Sequence, residues 1–177
     1  MRVLHLLGSV GLIAAVALNA NAQCTASGSP ANCGQPGSVS MAAGRVVRLQ
    51  MSAGSTSLTA PTTSDFDAGF NSTTGPTLTV SANAAWTLQI RAASAVWTAT
   101  NTAAGVAARV NKPAGDLKWS TSSGGVFTAL SGSDASLVNG SATASNATTL
   151  YFQTLYDWSV DTPGNYSLSI VLTLTSP

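Results

Sequence analysis

The last residues of the chain alternate between apolar and polar side chains. From Tyr166 to Thr175, one set of alternate positions is aromatic or aliphatic, and the other is mostly serine and threonine. The first set is Tyr166, Leu168, Ile170, Leu172 and Leu174. A period of two residues predicts a half-buried β-strand, because successive side chains of a strand point to opposite faces. The preceding Thr-Pro-Gly-Asn sequence is typical of a turn. We therefore expect a strand that starts at Tyr166 and covers a core.

Similar alternation occurs in several earlier segments. It predicts strands in residues 45–53, 78–82, 86–91, 116–121, 126–130 and 149–158. Residues 71–76 and 83–84 have turn composition, so the strands on either side of 83–84 are expected to be neighbours in a meander. Residues 92–108 favour either irregular structure or an edge strand. The pattern predicts an all-β sandwich or barrel, and we favour an immunoglobulin-like antiparallel β-sandwich of about seven or more strands.

The N-terminal segment has the composition of a secretory signal peptide. Arg2 is followed by an apolar run, and Ala20 and Ala22 form a small-residue cleavage pattern. A membrane anchor is disfavoured because the apolar run is short. We expect a signal peptide in residues 1–22, an N-terminal segment in 23–44 and a β-sandwich domain in 45–177. The mature protein is then secreted, extracellular or on the cell surface, with periplasmic transit in a Gram-negative host and no membrane span.

Two cysteines, Cys24 and Cys33, lie close together after the predicted cleavage site. In an exported chain such a pair is typical of a disulfide. A two-thiol metal site is the alternative, but the segment offers it no further ligands. We therefore expect a disulfide that constrains the terminus rather than the core.

Charge and residue usage exclude several classes of function. The chain has seven basic and six acidic residues, and one of the basic residues, Arg2, lies in the signal segment. Without an excess of positive charge, we expect no nucleic-acid partner. The only histidine, His5, also lies in the signal segment, and the sequence contains no glutamate. Histidine-dependent catalysis and histidine-ligated metals are therefore excluded, and we expect no enzyme activity, no catalytic residues, no metal and no cofactor.

The end of the chain resembles bacterial secreted β-sandwiches of the spore coat protein U and fimbrial subunit kind. The resemblance lies in Tyr151-Phe152-Gln153, followed by Pro163-Gly164-Asn165-Tyr166 and the alternating final strand. The sequence Asp65-Phe66-Asp67-Ala68-Gly69 is loosely similar to an early Phe-Gly element of those proteins. The core cysteines common among them are missing here. The resemblance implies a non-enzymatic surface, coat or pilus-associated protein.

The aromatic residues suggest a second class of function. Flat aromatic rings bind sugar faces, but Trp86, Trp119 and Trp158 are in phase with core-facing aliphatic residues and are expected to be buried. Trp97 and Tyr151 are not constrained in this way, so they are the candidates for stacking on a ligand.

Two aspartate motifs have both a structural and a functional interpretation. Asp65 and Asp67, with Gly69, have the spacing that begins some calcium loops, but no further acidic ligand follows, so capping of backbone amides is favoured. Asp161 precedes Thr162-Pro163-Gly164, where the proline disrupts an aspartic-protease-like turn. There we expect the Tyr166 hydroxyl to bond to nearby backbone, as in a tyrosine corner.

The leading hypothesis is a secreted structural or assembly protein of the bacterial surface, such as a coat, fimbrial or pilus-like subunit. Its partners would be other copies or other surface proteins, recruited through the terminal strand and the N-terminal segment by strand-edge pairing. The alternative is an extracellular carbohydrate- or ligand-binding β-sandwich module.

Overall fold

The computed structural model of the protein describes residues 27–29, 33, 38–101 and 105–177. The chain divides into two compact units, Met1–Ala42 and Ala43–Pro177. The described residues of the first unit are exposed. The predicted signal peptide and Cys24 lie outside the described residues, so the cleavage and the Cys24–Cys33 disulfide stay predictions.

The second unit consists mainly of antiparallel β-strands, which confirms the predicted all-β class. Within the described residues the strands are β1 (Val47–Met51), β2 (Phe70–Ala82), β3 (Trp86–Ala92), β4 (Thr98–Thr100), β5 (Leu117–Ser120), β6 (Thr128–Ala129), β7 (Ala135–Gly140), β8 (Thr143–Leu155), β9 (Asn165–Ser167) and β10 (Ile170–Thr175). The helical elements are α1 (Thr63–Ala68) and a 3-10 turn (Ala114–Asp116). The immunoglobulin-like form of the fold stays a prediction.

The two larger sheets contribute side chains to one core. One sheet has five strands in the order β1-β2-β8-β5-β6, another has the order β10-β3-β7, and β4 and β9 form a two-stranded sheet. The largest fully buried side chains are Leu78, Val80 and Leu150 from the first sheet, and Leu88 and Ile90 from the second. All of them belong to one hydrophobic cluster. Each sheet therefore buries one face against the other's side chains.

The prediction that β2 and β3 are neighbours in a meander is wrong. β2 pairs with β1 and β8, whereas β3 pairs with β7 and β10. The turn between them is tied to the chain before β1: the Asn83 side chain accepts a hydrogen bond from the Val46 amide at 2.7 Å and donates one to the Gly44 carbonyl at 2.8 Å. These bonds hold the turn as a crossover between sheets rather than as a hairpin.

The predicted turn in residues 71–76 is also wrong, because β2 runs through it. The pairing with β8 shifts register between Thr74 and Thr77, which marks a bulge. Pro76, which has no amide proton, lies in this irregular stretch. At Gly75 a Cβ atom would lie only 2.5 Å from the Phe152 ring, so only glycine leaves room for that ring. Gly75 and Pro76, which are residue types common in turns, thus lie in a β-bulge within a long strand.

The predicted final strand consists of two strands. β9 pairs with β4 and β10 pairs with β3, so the chain changes partner near Ser169. Residues 92–108 were expected to be either irregular or an edge strand; among the described residues of this segment, Thr98–Thr100 forms the short strand β4 and most of the others are irregular. The inward face is as predicted: Tyr166, Leu168, Ile170, Leu172 and Leu174 all pack against the core.

Candidate functional site

An open groove lies beside the core, between the edges of the two larger sheets. Its volume is about 780 Å³. β1 is the terminal strand of one sheet and β10 is the terminal strand of the other, so each has a single strand partner within the described residues. Unpaired backbone groups on a strand edge can pair with an added strand. The groove is therefore bordered by two strand edges.

The groove is lined mainly by apolar side chains. β1 contributes Leu49 and Met51, and the end of the chain contributes alternate residues of the predicted terminal strand. The apolar residues along the groove are Leu49, Met51, Leu58, Pro76, Trp97, Leu117, Phe152, Tyr166, Leu168, Ile170 and Leu172. Such a surface can bind a segment that presents apolar side chains at every second position.

The connection from β1 to α1 passes along this groove without forming a strand. Residues 53–58 line the groove, and the Leu58 side chain packs against the core. Within the described part of the chain, no hydrogen bond holds the backbone of this stretch; the nearest ones are at Ser52 and Thr59. A covering segment held by side-chain packing alone can be displaced at lower cost than a paired strand.

The residues before the strand domain present two fully exposed apolar side chains. Val39 and Met41 have exposed fractions of 101% and 88%, and they are separated by one serine. An exposed valine or methionine leaves its apolar area in contact with water. These side chains have the spacing of one face of a strand.

Four charged side chains of the strand domain form a cluster. Lys112 has an exposed fraction of only 2%, and its Nζ lies 2.9 Å from Asp161 Oδ1 and 3.2 Å from Asp116 Oδ2. The Nζ also donates to the Leu155 carbonyl oxygen at 2.8 Å. Arg109 Nη1 lies 3.0 Å from Asp161 Oδ1 and 3.4 Å from Asp116 Oδ2. The cluster balances two cations with two anions.

The sequence did not predict this charged cluster. Lys112 and Asp116 have helical i, i+4 spacing, but Asp161 lies 49 residues from Lys112. The available signal was the scarcity of charge: a chain with only 7% charged residues places four of them in this cluster. A buried lysine is rare unless its charge is paired.

The expected tyrosine corner is present beside the charged cluster. The Tyr166 hydroxyl donates to the Thr162 carbonyl oxygen at 2.6 Å and accepts a hydrogen bond from the Arg109 amide at 3.0 Å. It thus connects the turn before β9 to the segment that carries Arg109 and Lys112. This supports the structural interpretation of the Asp161 motif.

The structure corrects two of the tryptophan assignments. Trp97 was expected to be accessible for stacking, but its exposed fraction is 4% and its Nε1 donates to the Pro113 carbonyl oxygen at 3.1 Å. Trp158 was expected to be buried, but it follows the end of β8 and has an exposed fraction of 60%. Trp86 and Trp119 are buried as predicted. Tyr151 is half-buried.

The exposed Trp158 ring belongs to a small aromatic cluster. Its centroid lies 4.6 Å from that of Phe66, and the Phe66 ring lies 5.3 Å from Tyr156. Trp158 Nε1 donates to Asp67 Oδ1 at 3.1 Å, which orients the indole. Burial raises the pKa of the Tyr156 phenol above its ordinary value, and the Asp65 and Asp161 carboxylates add to this shift.

Asp65 caps a helix, which confirms the capping interpretation. Thr62 and Asp65 form a capping box at the start of α1: the Thr62 amide donates to Asp65 Oδ2 at 2.7 Å, and the Asp65 amide donates to Thr62 Oγ1 at 3.4 Å. The bond from the Thr62 backbone holds the pKa of the Asp65 carboxyl below its ordinary value. Among the residues described, no group of three or more metal-ligating side chains occurs.

Comparisons with protein families and with curated proteins found no match to this chain. In the structurally described ranges, no helix is both long and apolar enough to cross a membrane. The groove therefore has to be interpreted from its own chemistry.

Proposed function

We propose that this chain is a secreted, non-enzymatic structural protein of the bacterial surface whose copies assemble by strand addition. The observation that carries the proposal is the apolar groove between the edges of β1 and β10. An incoming strand would pair its backbone with one of these edges and place alternate side chains in the groove. The resemblance to spore coat protein U and fimbrial subunits, the export signal and the immunoglobulin-like sandwich belong to the same proposal.

The occupant is residues 38–43 of a second copy. This segment precedes β1, and it presents Val39 and Met41 at alternate positions with almost all of their surface exposed. Insertion into the groove would remove that apolar area from water, and it would displace residues 53–58, whose backbone has no hydrogen-bond partner in the described structure. Each copy then has both a groove and a segment to fill the groove of the next, so the contact is head-to-tail and propagates into a fibre.

The test compares two charge substitutions on opposite faces of this segment. The double variant Val39→Asp/Met41→Asp should remain monomeric, because its carboxylates would have to enter an apolar groove. The matched control Ser38→Asp/Ser40→Asp introduces the same charge at exposed positions that point the other way, and it should assemble like the wild type.

Light scattering after size-exclusion chromatography, followed by negative-stain microscopy, distinguishes the three proteins. We expect the wild type and the Ser38→Asp/Ser40→Asp control to form fibres. The Val39→Asp/Met41→Asp variant should stay monomeric. A wild type that stays monomeric at high concentration, or equal assembly of both variants, would contradict the proposal.

A second candidate function is carbohydrate binding, for which the exposed Trp158 replaces the buried Trp97 while Tyr151 stays a candidate. The specific observation is an exposed indole held in place by Asp67 and Phe66. Sugar titration should quench the tryptophan fluorescence of the wild type but not that of Trp158→Ala. An unresponsive wild type would exclude this function at Trp158.

A further inference from the structure

The buried Lys112 lies in an environment that resembles a reaction site more than a simple ion pair. Its Nζ contacts two carboxylates, Asp161 at 2.9 Å and Asp116 at 3.2 Å. One carboxylate is enough to balance a lysine, and Asp161 has further donors: Arg109 Nη1 reaches its Oδ1 at 3.0 Å, and the Asp157 amide donates to its Oδ2 at 2.9 Å. A buried amine and a buried, polarised carboxyl group are thus brought together beside a second acid that is partly exposed.

The geometry points to an intramolecular amide bond between Lys112 Nζ and the carboxyl carbon of Asp161. The amine would attack this carbon and form a C–N bond, while one C–O bond breaks and its oxygen leaves as water. The ammonium gives up two protons, both of which end on the departing oxygen. Asp116, in contact with Lys112, is placed to carry them. Ammonium and carboxylate become amide and water, so atoms and charge balance without an oxidant or an activated reagent.

The neighbouring donors match the charge changes of this step. The Arg109 guanidinium and the Asp157 amide both point at the oxygens of Asp161, where negative charge increases when the carbon is attacked. Holding the amine and the carboxyl group in contact replaces a bimolecular encounter with an intramolecular one.

The cluster also remains balanced after the reaction. Condensation removes one buried cation, Lys112, and one buried anion, Asp161. The remaining charges are Arg109 and Asp116, which already lie 3.4 Å apart. Because buried charges lose hydration, removing one pair lowers the cost of burying the cluster. The inference is independent of the proposed assembly: it concerns a covalent tie within each copy, between the segment before β5 and the turn before β9.

Peptide mapping of the full-length protein tests the inference directly. Trypsin cleaves after Arg109 and Lys118 but resists cleavage at Lys112, because Pro113 follows it, and no basic residue follows Lys118. The digest therefore contains peptides 110–118 and 119–177, which hold Lys112 and Asp161 respectively. If the amide forms, the two peptides appear as one branched species, lighter than their sum by one water. Dehydration of an aspartate to a succinimide would not join them.

Three variants complete the experiment. Lys112→Arg should yield two separate peptides. Asp161→Asn can form the same amide with loss of ammonia, so its branched species should have the same mass as that of the wild type. Lys118→Arg keeps both the cleavage site and the cluster and should leave branching unchanged. Separate, unmodified peptides from the folded wild-type protein would overturn the inference and leave Lys112 as an ion-pair partner only.

Discussion

The hydroxyl of Tyr166 holds together two segments that are distant in sequence. We predict that Tyr166→Phe destabilises the domain by about 1–3 kcal/mol, because the variant loses the bond to Thr162 and leaves the Arg109 amide without its acceptor. Urea unfolding measures the change. Tyr151→Phe is the control, since the Tyr151 hydroxyl has no hydrogen bond among the described residues. Equal effects of the two variants would mean that the corner does not support the fold.

The burial and the hydrogen bonds of individual residues were predictable where they depend on the neighbouring sequence. The burial of Trp86 and Trp119 followed from alternation within strands that exist, and the Tyr166 bond followed from the turn beside it. Trp158 was misassigned because β8 ends at Leu155, so the alternation no longer describes its direction. Asp161, which contacts Lys112, lies 49 residues away in the sequence, and no local pattern encodes such a contact.

At the scale of single elements, the bulge in β2 depends on the absence of a side chain at Gly75. Gly75→Ala should destabilise the domain by about 1–3 kcal/mol, because the added methyl group would overlap the Phe152 ring. Thermal unfolding provides the measurement. Gly132→Ala is the matched control, because no atom lies within 4 Å of the corresponding position and its φ is not positive. Equal stability of the two variants would show that the bulge adapts freely.

The start of α1 should depend on pH through Asp65. The folded pKa of this carboxyl is lowered by the bond from the Thr62 amide, so its contribution to stability is present above its ordinary value of 3.8 and is lost as the pH falls through the lower folded value. The Thr62 amide resonance should report this loss in an acid titration by NMR. Asp65→Asn should abolish the titration at this amide, and an unchanged titration in that variant would assign it to another group.

The sequence predicts which segments form strands better than it predicts which strands pair with each other. The period-two pattern identified β1, β3, β5 and β10 and the inward face of the last strand, because burial of one face dictates that pattern. It did not identify which strands pair. β2 and β3 were expected to be neighbours, yet a turn bonded to Val46 and Gly44 sends them into different sheets.

At the scale of the whole molecule, the position of the groove predicts which sheet edges change on assembly. Each larger sheet has a second terminal strand, β6 in one and β7 in the other, and none of their residues lines the groove. Strand addition should therefore slow amide hydrogen exchange in β1 or β10 and leave β6 and β7 unchanged. These two strands serve as internal controls in the same experiment.

The comparison requires a monomer with an intact groove, which the Val39→Asp/Met41→Asp variant should provide, because both substitutions lie at exposed positions. Exchange in residues 53–58 should not slow on assembly, since the incoming segment displaces them. They would gain no protection from the new strand and should exchange as fast as in the monomer or faster. Protection confined to β6 or β7 would place the contact on the opposite edges and would refute the groove as the assembly site, even if fibres form.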